Sequence, residues 1–275
     1  MIQRHFLEPY EKIFYVTILK SMNENFIQFI GHSSALVHLD GITLTVDLNL
    51  SSRVGGLFKR HGTIGLDLNN LPKVDAFLVT HAHYDHLDIF SYKYFDQKIP
   101  FIAPVGFASL INKFLHNPVI ELELNSKHFV NNVAISAIPT QHYGFRISGL
   151  NYTKCNGYII QCADHTVYHP GDTGYGPHFK QIADMFSIDV AFLPIGAFEP
   201  RSLLGHQHLN PQEALQAFED LHAKVMVPIH WGAFRLGMEP IDEPLRRLKA
   251  LLENNPLKDR VKILQPGEKL ELGSL

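Results

Sequence analysis

Residues 74–79, Val-Asp-Ala-Phe-Leu-Val, run straight into Thr-His-Ala-His-Tyr-Asp-His at residues 80–86. A mostly apolar run of this length reads as a buried strand, and the polar string after it as the loop where that strand gives way. The junction constrains the fold because four metal-ligating side chains, His81, His83, Asp85 and His86, follow it at once. Two imidazoles at i and i+2 of extended chain point to the same side and can grip one ion. Asp85 and His86, just beyond, sit where a helix would begin and can reach a second. Neutral imidazole and carboxylate suit zinc, and also manganese or iron. Any fold the chain adopts must therefore offer a strand–loop–helix context at this point.

The 275 residues are 45% apolar and 19% charged, enough for a sizeable core in one large domain or two fused halves. A net charge of −3 argues against broad electrostatic capture of nucleic acid, so no nucleic-acid partner is expected. The two cysteines, Cys155 and Cys162, have no CxxC partner and read as thiols of a reducing compartment. No stretch approaches a membrane span. The apolar run 13–19 follows Glu8 and Glu11 and lacks a cleavage site, so it is a poor signal peptide and a cytoplasmic location is expected. Histidine is over-represented, with 17 residues, so a lone histidine carries little weight and only a pattern counts.

The organisation is mixed. Residues 35–39 and 42–46 flank Asp40-Gly41, a type I′ hairpin signal. Further hairpins are expected across Asn131-Asn132 and Asp164-His165. Helical spacing appears at Phe107, Leu110, Ile111 and Phe114, at Phe179, Ile182 and Phe186, and at Leu245, Leu248 and Leu252. Asn210-Pro211-x-Glu213 is an N-cap, a first-turn proline and a capping-box glutamate, opening a helix with Leu215, Phe218 and Leu221 inward. A short strand pair is expected around Pro266-Gly267. Hairpins followed by a helix, twice over, predict two sheets packed face to face with helices outside, an α/β arrangement within one domain whose halves divide near residue 150. Residues 51–72, rich in glycine, form the longest irregular stretch, and a loop of that length is commonly functional.

Further polar residues follow apolar strands in the same manner. His142 follows 133–138, Asp172 follows 166–168, His208 follows 191–195 at some distance, and His230 ends 225–229. Strand ends are where a rigid scaffold can aim side chains at a common point. With the opening motif these supply enough ligands for two ions. His32 and His169 are candidates for orienting them.

In this order, an opening His-x-His-x-Asp-His, a lone His, an Asp and a final His, the chain resembles the metallo-β-lactamase superfamily over residues 26–240. The resemblance implies a four-layer αβ/βα sandwich with the metals at the sheet edges. His81, His83 and His142 would hold one ion, Asp85, His86 and His230 the other, and Asp172 would bridge them. Ile30-Gly-His-Ser-Ser, Pro139-Thr-Gln-His-Tyr-Gly-Phe-Arg146, Gly171-Asp-Thr-Gly-Tyr, Ile195-Gly-Ala-Phe-Glu-Pro-Arg201, Gln207-His-Leu-Asn-Pro-Gln-Glu-Ala214 and Ile229-His-Trp-Gly-Ala-Phe234 look like the N-acyl-phosphatidylethanolamine-hydrolysing phospholipase D branch. Loops 51–72 and 143–152 match no family pattern, and substrate choice is expected there.

The resemblance implies phosphodiester cleavage. Two divalent ions would lower the pKa of a shared water from ~15.7 towards ~7, providing a nucleophile without serine or cysteine. Asp85 and Asp172 would be the catalytic carboxylates. His208 is expected to protonate the leaving oxygen or bind a phosphoryl oxygen, Arg146 and Arg201 to clamp phosphate, and Tyr143 to contact substrate. A phospholipid substrate implies peripheral membrane contact, for which residues 1–20 are the candidate segment. The rival enzyme reading is a sugar-phosphate lactonase, which a polar, lysine-bearing pocket would favour over an apolar groove. Di-iron redox relatives carry glutamate where His83 stands, which disfavours that class.

Overall fold

The computed structural model describes residues 24–144 and 154–275. Its strands are β1 (Phe26–Gly31), β2 (Ser34–Leu39), β3 (Ile42–Val46), β4 (Arg53–Val54), β5 (Phe58–Lys59), β6 (Ala76–Leu78), β7 (Phe101–Pro104), β8 (Val119–Leu122), β9 (Lys127–Val130), β10 (Val133–Ile138), β11 (Gly157–Gln161), β12 (Thr166–His169), β13 (Val190–Pro194), β14 (Val225–Ile229) and β15 (Lys269–Glu271). One sheet runs β15-β1-β2-β3-β6-β7-β8 and the other β14-β13-β12-β11-β10-β9. Each begins as an antiparallel meander and continues into parallel strands. The sheets divide between Leu122 and Lys127, and β15 returns to pair with β1.

The alternation of side chains along each strand builds three apolar layers. Ala35, Val37 and Leu39 of β2 meet Val190 and Phe192 of β13 in a core shared by both sheets. On the outer face of the first sheet, Leu36 and Phe77 pack with Leu110 and Ile111 of the short helix Ala108–Ile111. On the outer face of the second, Ala191 and Leu193 pack with Ile182, Phe218 and Leu248 of the helices His178–Met185, Pro211–Asp220 and Glu243–Leu252. Burying each such large side chain contributes about 1.5–3 kcal/mol before conformational entropy is charged against it. The result is the expected αβ/βα sandwich.

Local signals behave as expected where their partners are near in sequence. Asp40 and Gly41 take φ of 47° and 80°, as a type I′ turn requires. Asn210 and Glu213 form a reciprocal capping box, with Leu215, Phe218 and Leu221 buried. Three expectations need correction. Asp85 and His86 do not open a helix; the chain makes one tight turn, with His86 N donating to His83 O, and the helix starts only at Ile89. No strand pair forms around Pro266-Gly267 among the described residues, because β15 finds its partner across the molecule in β1. Phe114 lies beyond its helix and is exposed.

Strand direction places the site. Strands β1, β3 and β6 run one way in the first sheet, and β10, β12, β13 and β14 share one direction in the second. His32, the 81–86 motif, His142, Asp172 and His230 all follow the C-terminal ends of these strands. The two sheets are stitched at that end by backbone contacts, Asn156 N to Thr80 O at 2.9 Å and His230 N to His32 O at 2.9 Å.

Candidate metal centre

His81 Nε2 lies 2.9 Å from His83 Nδ1, which is 3.2 Å from His142 Nε2. Asp172 Oδ2 stands 3.8 Å from His81 Nε2 and 4.0 Å from His142 Nε2. The same oxygen is 3.2 Å from His86 Nε2 and 3.3 Å from His230 Nε2, and Asp85 Oδ2 is 3.3 Å from both of those nitrogens. The side chains thus form two groups, His81/His83/His142 and Asp85/His86/His230, sharing one carboxylate oxygen of Asp172.

Outer contacts orient these atoms. Buried Asp47 accepts from His86 Nδ1 at 2.7 Å, from Thr80 Oγ1 at 2.6 Å and from Thr80 N at 2.8 Å. Because the Thr80 hydroxyl spends its hydrogen on Asp47, it accepts from His81 Nδ1, 3.0 Å away. One carboxylate therefore sets the tautomer of a histidine in each group, leaving Nε2 of both free to ligate. His32 Nε2 donates to Asp85 Oδ2 at 2.8 Å. His32, Asp47 and His230 hold φ of 57°, 49° and 61°, left-handed geometry that costs a residue with a Cβ about 1–3 kcal/mol and clusters at functional sites. At Gly171, φ is 66° and an added Cβ would stand 2.4 Å from Thr80 Oγ1, so only glycine lets the Asp172 loop lie against the motif.

Burial alone would keep all these imidazoles neutral, and at His81, helped by His86 and His142, the pKa is held well below its ordinary value. Burial also takes His142 down to about 3, against the attraction of Asp172. At His86 and His230 burial is overcome by the Asp172 and Asp85 carboxylates. His86 rises well above its ordinary value, and His230 rises to about 9. Burial opposes ionisation of Asp85 and Asp172 as well, yet the facing imidazoles hold both well below the carboxylate range. The centre thus gathers positive charge wherever protons can supply it. His86 Nε2, His230 Nε2, His208 Nδ1 and Asp172 Oδ1 are buried without a hydrogen-bond partner, at a cost of about 1–3 kcal/mol each. Imidazole nitrogens and carboxylate oxygens converging with unmet valences are the donor set of a divalent cation, and the residues fit one.

All seven sequence-derived ligands converge. His208 joins them, with Nδ1 3.8 Å from Asp172 Oδ2 and burial taking its pKa to about 4. Tyr143, next to His142, is 71% exposed. Arg146 lies outside the described residues, as does the 1–20 segment. The Arg201 guanidinium binds His208 O at 2.9 Å and Glu213 Oε1 at 2.5 Å. His169 bridges Ser33 O and Gly171 N, supporting two site loops without reaching the ligands. Asp47 and Asn49 were missed. Asp47 obeys the rule that found Asp172, a polar residue ending an apolar strand, and that signal was there to use. Asn49, which donates to Asp85 O at 3.1 Å and accepts from Arg60 at 2.8 Å, carried none.

Within the irregular 51–72 stretch, residues 53–59 form the small β4–β5 hairpin, which walls a cavity of about 660 Å³ opening beside His83 and Asp85. Val54, Leu57, Phe58, Ile89, Phe90 and Leu236 line it, with Arg53 its only cationic side chain apart from histidine among the described residues. Leu57 and Phe90, 79% and 68% exposed, carry the apolar lining to the surface.

A Beta-lactamase superfamily domain model matches residues 51–231. An uncharacterised protein of Mycobacterium tuberculosis is 33% identical over 258 residues, covering 89% of this chain and 68% of that one. N-acyl-phosphatidylethanolamine-hydrolyzing phospholipase D 1 of Caenorhabditis elegans is 32% identical over 259 residues, covering 85% and 72%. Among solved structures, a metallo hydrolase of Ignicoccus hospitalis superposes with a TM-score of 0.66 at 22% identity, over 90% of this chain and 98% of that one.

Proposed function

We propose, from the premise that this chain belongs to the metallo-β-lactamase superfamily and is a metal-dependent hydrolase, that it cleaves phosphodiesters of N-acyl-phosphatidylethanolamine-like lipids. In the proposed centre His81, His83 and His142 would hold one ion, Asp85, His86 and His230 would hold a second, and Asp172 would serve both. Zinc is the first candidate, with manganese or iron accepted by the same donors. When bound, two such cations supply Lewis acidity and an acidified water.

The chain's own residues do the rest. In-line attack of a water oxygen on phosphorus, with the ethanolamine oxygen leaving, converts lipid and water into a phosphatidic acid and an N-acylethanolamine. His208, neutral at physiological pH because burial takes its pKa to about 4, serves as a hydrogen-bond partner for a phosphoryl or leaving oxygen rather than as a cationic acid. Tyr143 borders the site from its exposed position.

The observation that carries the lipid reading is the apolar groove beside His83 and Asp85. It opens to the surface and contains no lysine among the described residues, which suits an acyl chain better than a sugar phosphate. The C. elegans relative supports the same substrate class. Peripheral contact with a bilayer belongs to this proposal; no helix among the described residues is long and apolar enough to cross one. Loss of vesicle co-sedimentation on deleting residues 1–20 would support that contact through those residues.

The test offers the metal-loaded protein an aryl phosphodiester and an N-acyl-phosphatidylethanolamine in parallel, beside Asp172→Asn. Turnover of both, lost in the variant, is expected. Turnover of the aryl ester alone would remove the lipid assignment. Cleavage of neither by protein holding two metals would remove the phosphodiesterase reading and leave the lactonase.

A further inference from the structure

We propose that Arg201, anchored by Glu213, is a positioning residue for the metal centre. It holds the peptide strip 205–208 where that strip can orient His142 and carry His208. The inference rests on the two-metal reading above.

All four successive carbonyls of the strip are engaged. Arg201 Nη2 donates to Gly205 O at 3.4 Å and Nη1 to His208 O at 2.9 Å. Between them, Gln141 Nε2 donates to His206 O at 3.1 Å, and His142 Nδ1 lies 3.1 Å from Gln207 O. The guanidinium thus grips the two ends, while the two middle carbonyls receive the segment that carries His142. A carbonyl can only accept, so Nδ1 of His142 carries the hydrogen. Its Nε2, facing His83 and Asp172, keeps a lone pair for a metal.

The strip also touches the third ligand loop. Leu209 N donates to Thr173 O at 3.0 Å, and a Cβ at Gly174 would stand 2.3 Å from His206 O. Three chain segments, bearing His142, Asp172 and His208, therefore share one register. Arg201 is itself fixed, since Glu213 Oε1 pairs with Nη2 at 2.5 Å while Glu213 Oε2 caps Asn210 N at 3.0 Å. A helix cap is thereby tied to a metal-ligand tautomer. Lysine could supply the charge but not the planar fork that spans both carbonyls and the carboxylate.

The experiment measures zinc stoichiometry and affinity by competition with a chromophoric chelator, together with kcat and KM for an aryl phosphodiester. It compares wild type, Arg201→Ala, Arg201→Lys and Glu213→Gln. Arg201→Ala is expected to weaken one of two zinc sites by about 10–100-fold, the range for losing an outer-shell partner, and to lower kcat with KM unchanged. Arg201→Lys should recover part of the loss, and Glu213→Gln should shift both readouts less, in the same direction. A raised KM with unaltered zinc affinity would make Arg201 a phosphate clamp and overturn the inference. A lowered melting temperature with affinity and kcat unchanged would make it merely structural and do the same. If Arg201→Ala does not fold, unaltered zinc affinity in both milder variants overturns it. Wild type holding fewer than two zinc ions would overturn the two-metal reading, and this inference with it.

Discussion

The two sheets contribute to the candidate metal centre in different ways. The first delivers His81, His83, Asp85 and His86 from a single loop after β6, while the second delivers His142, Asp172 and His230 from three loops after β10, β12 and β14. Ligands from one loop share its backbone geometry, so a single strand end and a single turn align them. Ligands from three loops share nothing until the sheet has formed, and each needs its own brace. The braces are visible: Gln207 O for His142, Gly171 against Thr80 for Asp172, and the His32 carbonyl for His230. Both halves are braced from outside, but in the first Asp47, His32 and Asn49 serve a single loop, whereas in the second each of three loops has its own brace.

Asp172 is where the halves meet, so its loss should be the severest break. Asp172→Asn is expected to lower phosphodiester turnover by on the order of 10³-fold, about 4 kcal/mol of barrier, in steady-state assays of metal-loaded protein. An equal loss from changing a residue of only one group would mean that no shared carboxylate couples them.

Protons compete with metal mainly in the Asp85/His86/His230 group. Its two histidines have raised pKa values, His230 to about 9, whereas His81 and His142 are already neutral at pH 7. Metal binding must displace the raised protons, so affinity falls as pH falls. Below about pH 9 the drop at that group should be at least tenfold per pH unit from His230, steeper where His86 is also protonated, easing above 9 as His230 deprotonates unaided. Titration calorimetry in two buffers of different ionisation enthalpy should find about two protons released per full loading near pH 7. No release would contradict the charge assignment.

Asp47 sharpens the contrast, since it orients His86 directly and His81 through Thr80. Asp47→Ala should weaken metal binding about 10–100-fold at both groups, read by chelator competition. It also strips Thr80 N of its acceptor, which should cost about 1–3 kcal/mol in denaturant melts. Weakening at one group alone would mean the Thr80 relay does not act. The smallest effect concerns the groove. Leu57→Ser with Phe90→Ser should raise KM for a long-chain N-acyl phospholipid about tenfold and leave aryl phosphodiester kinetics unaltered. Equal change in both substrates would remove the acyl-groove assignment.

The features legible in sequence are those whose partners are near neighbours. The Asp40-Gly41 turn, the Asn210–Glu213 capping box and the 81–86 motif each specify their geometry through dihedral preference or spacing alone. The strand-end rule extended this reach to His142, Asp172 and His230, because the side chain after a buried strand can only point off the end of a sheet. It stopped where a residue's role depends on a distant contact. Arg201 carried the composition of a phosphate clamp, and nothing in its spacing announced its contacts with His208 O and Glu213. The helix expected at His86 gave way to a tight turn, and the strand expected beside Pro266-Gly267 paired with β1 instead.

The sequence by itself therefore determined the chemistry on offer, the two-sheet architecture and which side chains are candidate ligands. Each of these follows from hydrophobic period, turn dihedrals and donor type within a few residues. Tertiary structure alone decided which atom of each histidine faces the centre, that Asp47 sets two of those tautomers, that Arg201 binds His208 O and Glu213, and that residues 51–59 wall an apolar groove. These depend on hydrogen bonds and packing between segments tens of residues apart, and such contacts leave no periodicity or spacing in the chain.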